Sequence, residues 1–266
     1  MNINEIARLA GVSRATVSRY LNNGYVSSEK KEVIRKVIQE TGYQPSSQAQ
    51  TLRTKKTSLI GVILPKINSD TISREVAGIS DILTRRGYQL ILANTNNDVE
   101  EELKYLSLFK ERQVDGVVFI ATMFTRKHKQ MLKDYKVPIV LLGQHLDGYP
   151  CIYQDDYKAA FMVTEKLAKK GKKFAYIGVT DKDEAVGAMT YLKEIGLRIP
   201  DDVQIAGIGD GVPGKIVEPK LTTVHFYYKT SGMEAAAMLA DLIENDTGIS
   251  KEIKMGCELV ERESHR

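Results

Sequence analysis

The sequence predicts an α/β protein preceded by a separate, all-α N-terminal headpiece. Three observations carry that prediction. Residues 1–45 place their apolar side chains at helical spacing, punctuated by capping residues and glycines. From residue 58 onward, near-continuous apolar runs alternate with helix-period segments, the pattern of parallel strands covered on both faces. Charge is also divided unevenly. Residues 1–60 carry ten Lys/Arg against four Asp/Glu, so the net charge of +4 belongs to the N-terminal end of the 266 residues. That is the footprint of a small module meeting a phosphate backbone.

The headpiece reads in order. Asn2 caps a first helix, with Glu5 reaching back as in a capping box. Ile3, Ile6, Ala7 and Ala10 fall on one face, and Gly11 ends the helix. Val12 plugs the turn, Ser13 caps a second helix, and Val17 and Leu21 are its buried stripe. Asn22-Asn23-Gly24 is a turn. Ser27 caps a third helix with Val33, Ile34, Val37 and Ile38 at helical spacing, closed by Thr41-Gly42. A tight turn between the first two helices describes a helix-turn-helix unit. The second helix has a buried face to fix it and a polar start to reach base edges. Arg14 and Arg19 are candidate base readers, since arginine pairs bidentately with guanine O6/N7. Ser13, Thr16 and Ser18 suit phosphate oxygens, together with N–H groups at the helix start.

The segments Asn4-Glu5-Ile6-Ala7-Arg8-Leu9-Ala10-Gly11-Val12-Ser13 and Ala15-Thr16-Val17-Ser18-Arg19-Tyr20-Leu21-Asn22 resemble the headpiece signature of the lactose-repressor (LacI/GalR) family. The resemblance implies a homodimer on a pseudo-palindromic, double-stranded operator. It places Arg14, Ala15 and Arg19 at base-contacting positions, with Asn22 joining Ser13, Thr16 and Ser18 on the phosphates. Ala15 offers only an apolar contact, for example to a thymine methyl.

Pro45 stops the helical pattern, and residues 46–57 read as a hinge and linker. Only Ala49 and Leu52 are apolar in the segment after Ser46, too few for a helix stable alone. In the resembled family this hinge folds on the operator, and a leucine at the position of Leu52 wedges into the minor groove. Arg53, Lys55 and Lys56 add attraction to the backbone.

Residues 58–266 form the core. Strands are predicted at 59–64, 88–93, 114–120 and 137–142, with helices near 72–86, 100–112 and 127–134. Ligands on such sheets sit beyond the carboxyl ends of the strands, which singles out Asn68, Asn94, Asn96 and Gln144. A second lobe is predicted to begin at Asp155-Asp156, with a helix at 159–170, strands at 173–179, 203–208 and 221–224, and helices at 188–195 and 231–244. Leu197-Arg198-Ile199-Pro200-Asp201-Asp202-Val203 and Pro219-Lys220-Leu221-Thr222-Thr223-Val224 extend the resemblance, which implies a two-lobed core like a periplasmic sugar-binding protein. A sugar or sugar-phosphate effector would lie between the lobes, with Asp155, Asp210 and Tyr228 as further candidates. His225-Phe226-Tyr227-Tyr228-Lys229-Thr230-Ser231-Gly232 is most similar to the sucrose-operon repressor branch.

The pattern breaks near 187–188. Asp181 to Gly187 runs straight into Ala188-Met189-Thr190-Tyr191-Leu192-Lys193, pieces that are not neighbours in the family. Two βα units, about 60 residues, would fill the gap. The family's effector-clamping arginine falls inside it. At Gly207-Ile208-Gly209-Asp210, glycine stands where the family usually has a first acidic residue. The second lobe is therefore expected to be incomplete, poorly stable or rearranged, and the effector site impaired.

Other function classes fare less well. Gly209-Asp210-Gly211-Val212-Pro213-Gly214 matches G-x-G-x-x-G after a strand, but Pro213 and Pro219 are expected to leave little room for the helix that dinucleotide binding needs. A catalytic constellation is not apparent, and no cofactor is expected. A sugar-binding module without DNA function does not explain the headpiece. Cys151 and Cys257 read as packed thiols, and neither they nor the four histidines carry a metal-ligand motif. The absence of a signal-like N-terminus and of a bilayer-length apolar run leads us to expect a cytoplasmic protein.

Overall fold

The computed structural model describes residues 1–43, 56–111, 114–168, 174–177, 184–245 and 249–266. It divides into two compact units, Met1–Thr57 and Ser58–Arg266.

In the first unit, α1 (Ile3–Leu9), α2 (Arg14–Leu21) and α3 (Ser28–Thr41) enclose Ile6, Ala7, Ala10, Val17 and Ile34. The capping box is present: Asn2 Oδ1 accepts from the N–H of Asn4 and Glu5, and Glu5 Oε2 accepts from Asn2 N at 2.8 Å. Gly11 makes the turn into α2 at φ +60°, a backbone conformation that costs glycine little. Two details differ from expectation. Ser27 makes no side-chain cap on α3, and Val33 is largely exposed; the buried stripe runs through Ile34 with Val37 and Ile38 packed beside it.

The second unit holds two sheets. The larger has the order β2-β1-β3-β4-β5-β9, all parallel: β1 (Leu59–Leu64), β2 (Gln89–Asn94), β3 (Gly116–Ile120), β4 (Ile139–Leu142), β5 (Cys151–Gln154) and β9 (Glu252–Met255). Alternate strand residues feed its two faces. Ile60, Val62, Leu64, Val118 and Ile120 pack under α4 (Asp70–Arg85) and α10 (Tyr228–Glu244). Ile63, Val117 and Phe119 pack under α5 (Val99–Glu111) and α6 (Arg126–Lys133). Where α4 crosses α10 the backbones nearly touch. A Cβ at Gly78 would lie 2.0 Å from Lys229 O, and one at Gly232 would lie 2.0 Å from Glu75 O.

The smaller sheet has the order β10-β8-β7-β6, with β6 (Phe174–Ile177), β7 (Gln204–Ile208), β8 (Thr222–Phe226) and β10 (Cys257–Val260). Its β6, β7 and β8 are parallel, while β10 runs antiparallel to β8. One face is covered by α7 (Asp156–Ala168), whose Ala159, Val163 and Leu167 meet Ala206, Val224 and Phe226. The other carries α8 (Glu184–Glu194), whose Met189 meets Ile205 and Leu221. Among the described residues β6 pairs on one side only, with β7.

Two expectations need correction. The helix placed in the second lobe at 231–244 belongs to the larger sheet, because it buries Ala235, Ala236 and Leu239 against β3, β4 and β5. The last strand of that sheet, β9, also returns from the C-terminal end. In addition a short helix, α9 (Val212–Ile216), forms where the prolines were expected to forbid one. Pro213 sits in its first turn, where the missing N–H has no intrahelical partner to lose.

Candidate functional site

The polar start of α2 is built by its own cap. Ser13 Oγ accepts from Thr16 N at 3.2 Å and shares a 2.9 Å hydrogen bond with Thr16 Oγ1. Both hydroxyls are thereby oriented beside the unpaired N–H groups of the first turn. At the other end Asn22 Nδ2 donates to Ser18 O at 2.5 Å, closing α2. Val17 is fully buried, while Arg14, Ala15 and Arg19 are exposed, and Ala15 and Arg19, four residues apart, share the face away from Val17. Neither arginine pairs with a carboxylate among the described residues. Arg14 beside the helix N-terminus, with Arg19 exposed in the last turn, gives a surface suited to a polyanion. Ala49, Leu52 and Arg53 lie outside the described residues.

A cavity of about 360 Å³ opens in the core beyond the carboxyl ends of β1, β3, β4 and β5. Of the candidates read from sequence, Gln144 and Tyr228 line it. Asn68, Asn94, Asn96, Asp155 and Asp210 are not among its lining residues. Asn94 instead holds the loop after β1, accepting from Ile67 N at 3.0 Å and donating to Asn96 Oδ1 at 2.8 Å. Asp155 pairs with Lys254 Nζ at 3.0 Å. Asp210 is nearly buried and gripped by Arg262 at 2.5 Å, Lys215 at 3.0 Å and His225 Nδ1 at 3.2 Å. Burial would raise its pKa, but the hydrogen bonds from Arg262 and Lys215 outweigh that and hold the carboxyl below its ordinary range. A carboxylate here opposes a phosphate at the G-x-G-x-x-G segment.

Two cavity residues, Glu75 and Gln154, escaped the sequence reading and carry its chemistry together with Thr122, which stands at the carboxyl end of β3 where that reading looked for ligands. Glu75 Oε2, Thr122 Oγ1 and Gln154 Oε1 are buried without a hydrogen-bond partner, and all three residues line the cavity. Buried polar atoms left unpaired are costly, so a wall that collects three of them is suited to a polar ligand. Glu75 is 2% exposed, and burial alone pushes its pKa up to about 8. Burial, then the charge of Asp155, also raises Asp156. The acids of this wall are thus biased toward the neutral form. Gln154 Nε2 is fixed by Ser231 Oγ at 2.9 Å, and Thr122 N by Glu102 Oε1 at 2.9 Å. The second Glu102 oxygen lies 3.2 Å from His128 Nε2, but the angles are too poor for a hydrogen bond. Glu75 sits mid-helix and Gln154 on a four-residue strand after Pro150, so neither has a local signal.

Three family profiles cover most of the chain. The one described as bacterial regulatory proteins, lacI family, matches residues 2–46. Periplasmic binding proteins and sugar binding domain of LacI family matches residues 57–181, and periplasmic binding protein-like domain matches residues 149–265. The sucrose operon repressor of Staphylococcus xylosus is 34% identical over 239 residues, 90% of this chain and 70% of its own. The ribose operon repressor of Halalkalibacterium halodurans is 30% identical over 322 residues, covering 98% of this chain and 96% of its own. That alignment is longer than the 266-residue chain, so the relative carries residues with no counterpart here. Among solved structures, the lac repressor dimer bound to operator aligns with a TM-score of 0.89 at 20% identity, over 99% of this chain and 98% of that one. A CelR–cellobiose complex aligns with a TM-score of 0.69 at 22% identity, over 99% of each chain. At these identities the two structures speak for the fold.

Proposed function

The chain belongs to the lacI family of bacterial regulatory proteins, and from that premise we propose that it is a cytoplasmic, homodimeric repressor of sugar-utilisation genes, not an enzyme. The observation that carries this reading is α2, where a Ser13 cap and a buried Val17 hold a helix that exposes Arg14 in its first turn and Arg19 in its last. Arg14, Ala15 and Arg19 read base edges; Ser13, Thr16, Ser18 and Asn22 contact phosphates; Ala49, Leu52 and Arg53 occupy the minor groove through the hinge. Residues 1–45 are the DNA-binding headpiece, 46–57 the hinge, and 58–266 the effector and dimerisation core. A gel shift with the chain's own operator tests the assignment. Arg19→Ala should weaken binding roughly ten- to hundredfold at matched folding, since a bidentate arginine–guanine contact is worth about 1–3 kcal/mol. Unchanged affinity and sequence preference would remove Arg19 from the readout.

The same premise supports a polar effector, with sucrose the first to try, in the cavity lined by Glu75, Thr122 and Gln154. Response to it is impaired. The second lobe is shortened near 187–188, and Asp210 is satisfied by Arg262, Lys215 and His225 in place of a ligand. Isothermal titration with sucrose, fructose and their phosphates should show weak binding or none. Saturable micromolar binding would refute the impairment and leave the DNA assignment standing.

A further inference from the structure

Outside the cavity, one cluster of side chains among the described residues brings metal-ligating atoms together. The ligand atoms of His145, Cys151 and Glu252 all lie within 4.8 Å of one another. His145 Nε2 is 3.2 Å from Glu252 Oε2 and 3.6 Å from Asp147 Oδ1. An imidazole nitrogen carries at most one proton and cannot serve two carboxylates at once, whereas a divalent cation can. The framework is rigid where it matters. Cys151 and Glu252 are the first residues of β5 and β9 and are partners in the parallel ladder, so their side chains share one face. His145 and Asp147 come from the loop before β5, which turns back at Gly148 and closes through a bond from Tyr149 N to Leu146 O. The Tyr153 ring lies 4.9 Å from the His145 ring and orients it.

We propose that His145, Cys151 and Glu252, with Asp147 as fourth ligand, form a binding site for a zinc-like divalent cation that ties the edge strand β9 to the loop before β5. Donor atoms about 2.0–2.3 Å from a tetrahedral zinc lie roughly 3.3–3.8 Å from one another. Two of the present distances, 3.2 and 3.6 Å, are close to that range, and the ligand atoms of His145, Cys151 and Glu252 lie no more than 4.8 Å apart. One imidazole, one thiol and carboxylates select zinc or cobalt over magnesium or calcium, which take oxygen alone. The free Cys151 side chain is a thiol. Its S–H proton passes to solvent as the metal–sulfur bond forms. No sequence motif announces the site because Glu252 lies 107 residues from His145.

The test is a titration of the full chain, freed of metal by a chelator, with cobalt(II) and then zinc(II). We expect one equivalent of cobalt to give a thiolate-to-cobalt charge-transfer band that zinc removes. Zinc should raise the melting temperature of the core by several degrees, and magnesium should not. Cys257→Ser should keep the band. His145→Ala and Glu252→Gln, both at partly exposed positions, should weaken cobalt binding at least tenfold without unfolding the chain, and Cys151→Ser should abolish the band. Absence of the band at stoichiometric cobalt would overturn the proposal, as would a band that survives His145→Ala or depends on Cys257.

Discussion

The headpiece and the cavity solve opposite problems. The headpiece presents its polar groups outward: Arg14 and Arg19 are exposed, supported by a core as small as Ile6, Ala7, Ala10, Val17 and Ile34. The cavity presents its polar groups inward, with Glu75, Thr122 and Gln154 desolvated and short of partners. An exposed cation waits for its anion at little cost to the fold. A buried, unpaired oxygen is an energetic debt carried by a large core until a ligand arrives. A binding surface for a polyanion can therefore be added to a marginal three-helix unit, whereas a pocket for a small polar molecule needs a six-stranded sheet to hold it open.

Several experiments would break or sharpen that contrast. The largest effect is expected at Ile34, fully buried in the headpiece. Ile34→Ala should cost about 2–5 kcal/mol, enough to unfold a unit of this size. Operator binding should disappear while the calorimetric transition of the core stays in place; a shift of the core transition would mean that the two units are not independent. Next comes Glu75. Its pKa rises from 4.5 in the unfolded chain to about 8 in the fold. The stability held by its neutral form is thus fully present below pH 4.5 and lost as pH climbs to 8. Glu75→Gln should flatten that slope and stabilise the core at pH 8 by on the order of 3 kcal/mol, read from urea unfolding at pH 5 and 8. Parallel curves for the two proteins would show that Glu75 is not held neutral.

The remaining predictions are smaller. Arg14→Ala, like the change at Arg19, should weaken operator binding by about 1–3 kcal/mol without altering the melting temperature. Ser13→Ala removes the cap of α2 and should cost the headpiece about 1 kcal/mol. Circular dichroism of the isolated residues 1–57, a compact unit in its own right, would measure it. A cap change that left stability untouched would argue that the Ser13 hydroxyl is reserved for phosphate.

The same contrast explains what could be read without coordinates. The headpiece was legible because its signals are local: the Asn2–Glu5 box, the Gly11 turn, and the Ser13 cap lie within a dozen residues. The strand ends that line the cavity were legible as a class, since a parallel sheet sends its ligands there; Gln144 was found that way, Asn68, Asn94 and Asn96 were not borne out, and Tyr228 came from the family resemblance. Glu75 and Gln154 were not, because burial of one polar residue in an apolar helix or a four-residue strand leaves no periodic trace. The placement of α10 was missed for a related reason, and the strand β9 was not foreseen. The small-residue pattern of α10 says that it is buried, but not beneath which sheet.

That last feature also governs the order of events at the ribosome. The headpiece is complete once residue 43 has emerged, but the larger sheet waits for β9 at Glu252–Met255. At a synthesis rate of about 5–20 residues per second, the interval is roughly ten to forty seconds. Throughout it a folded headpiece hangs from a nascent chain whose core, the proposed dimerisation unit, is unfinished. On that proposal every new copy passes through a monovalent stage in which it can sample DNA but cannot hold an operator.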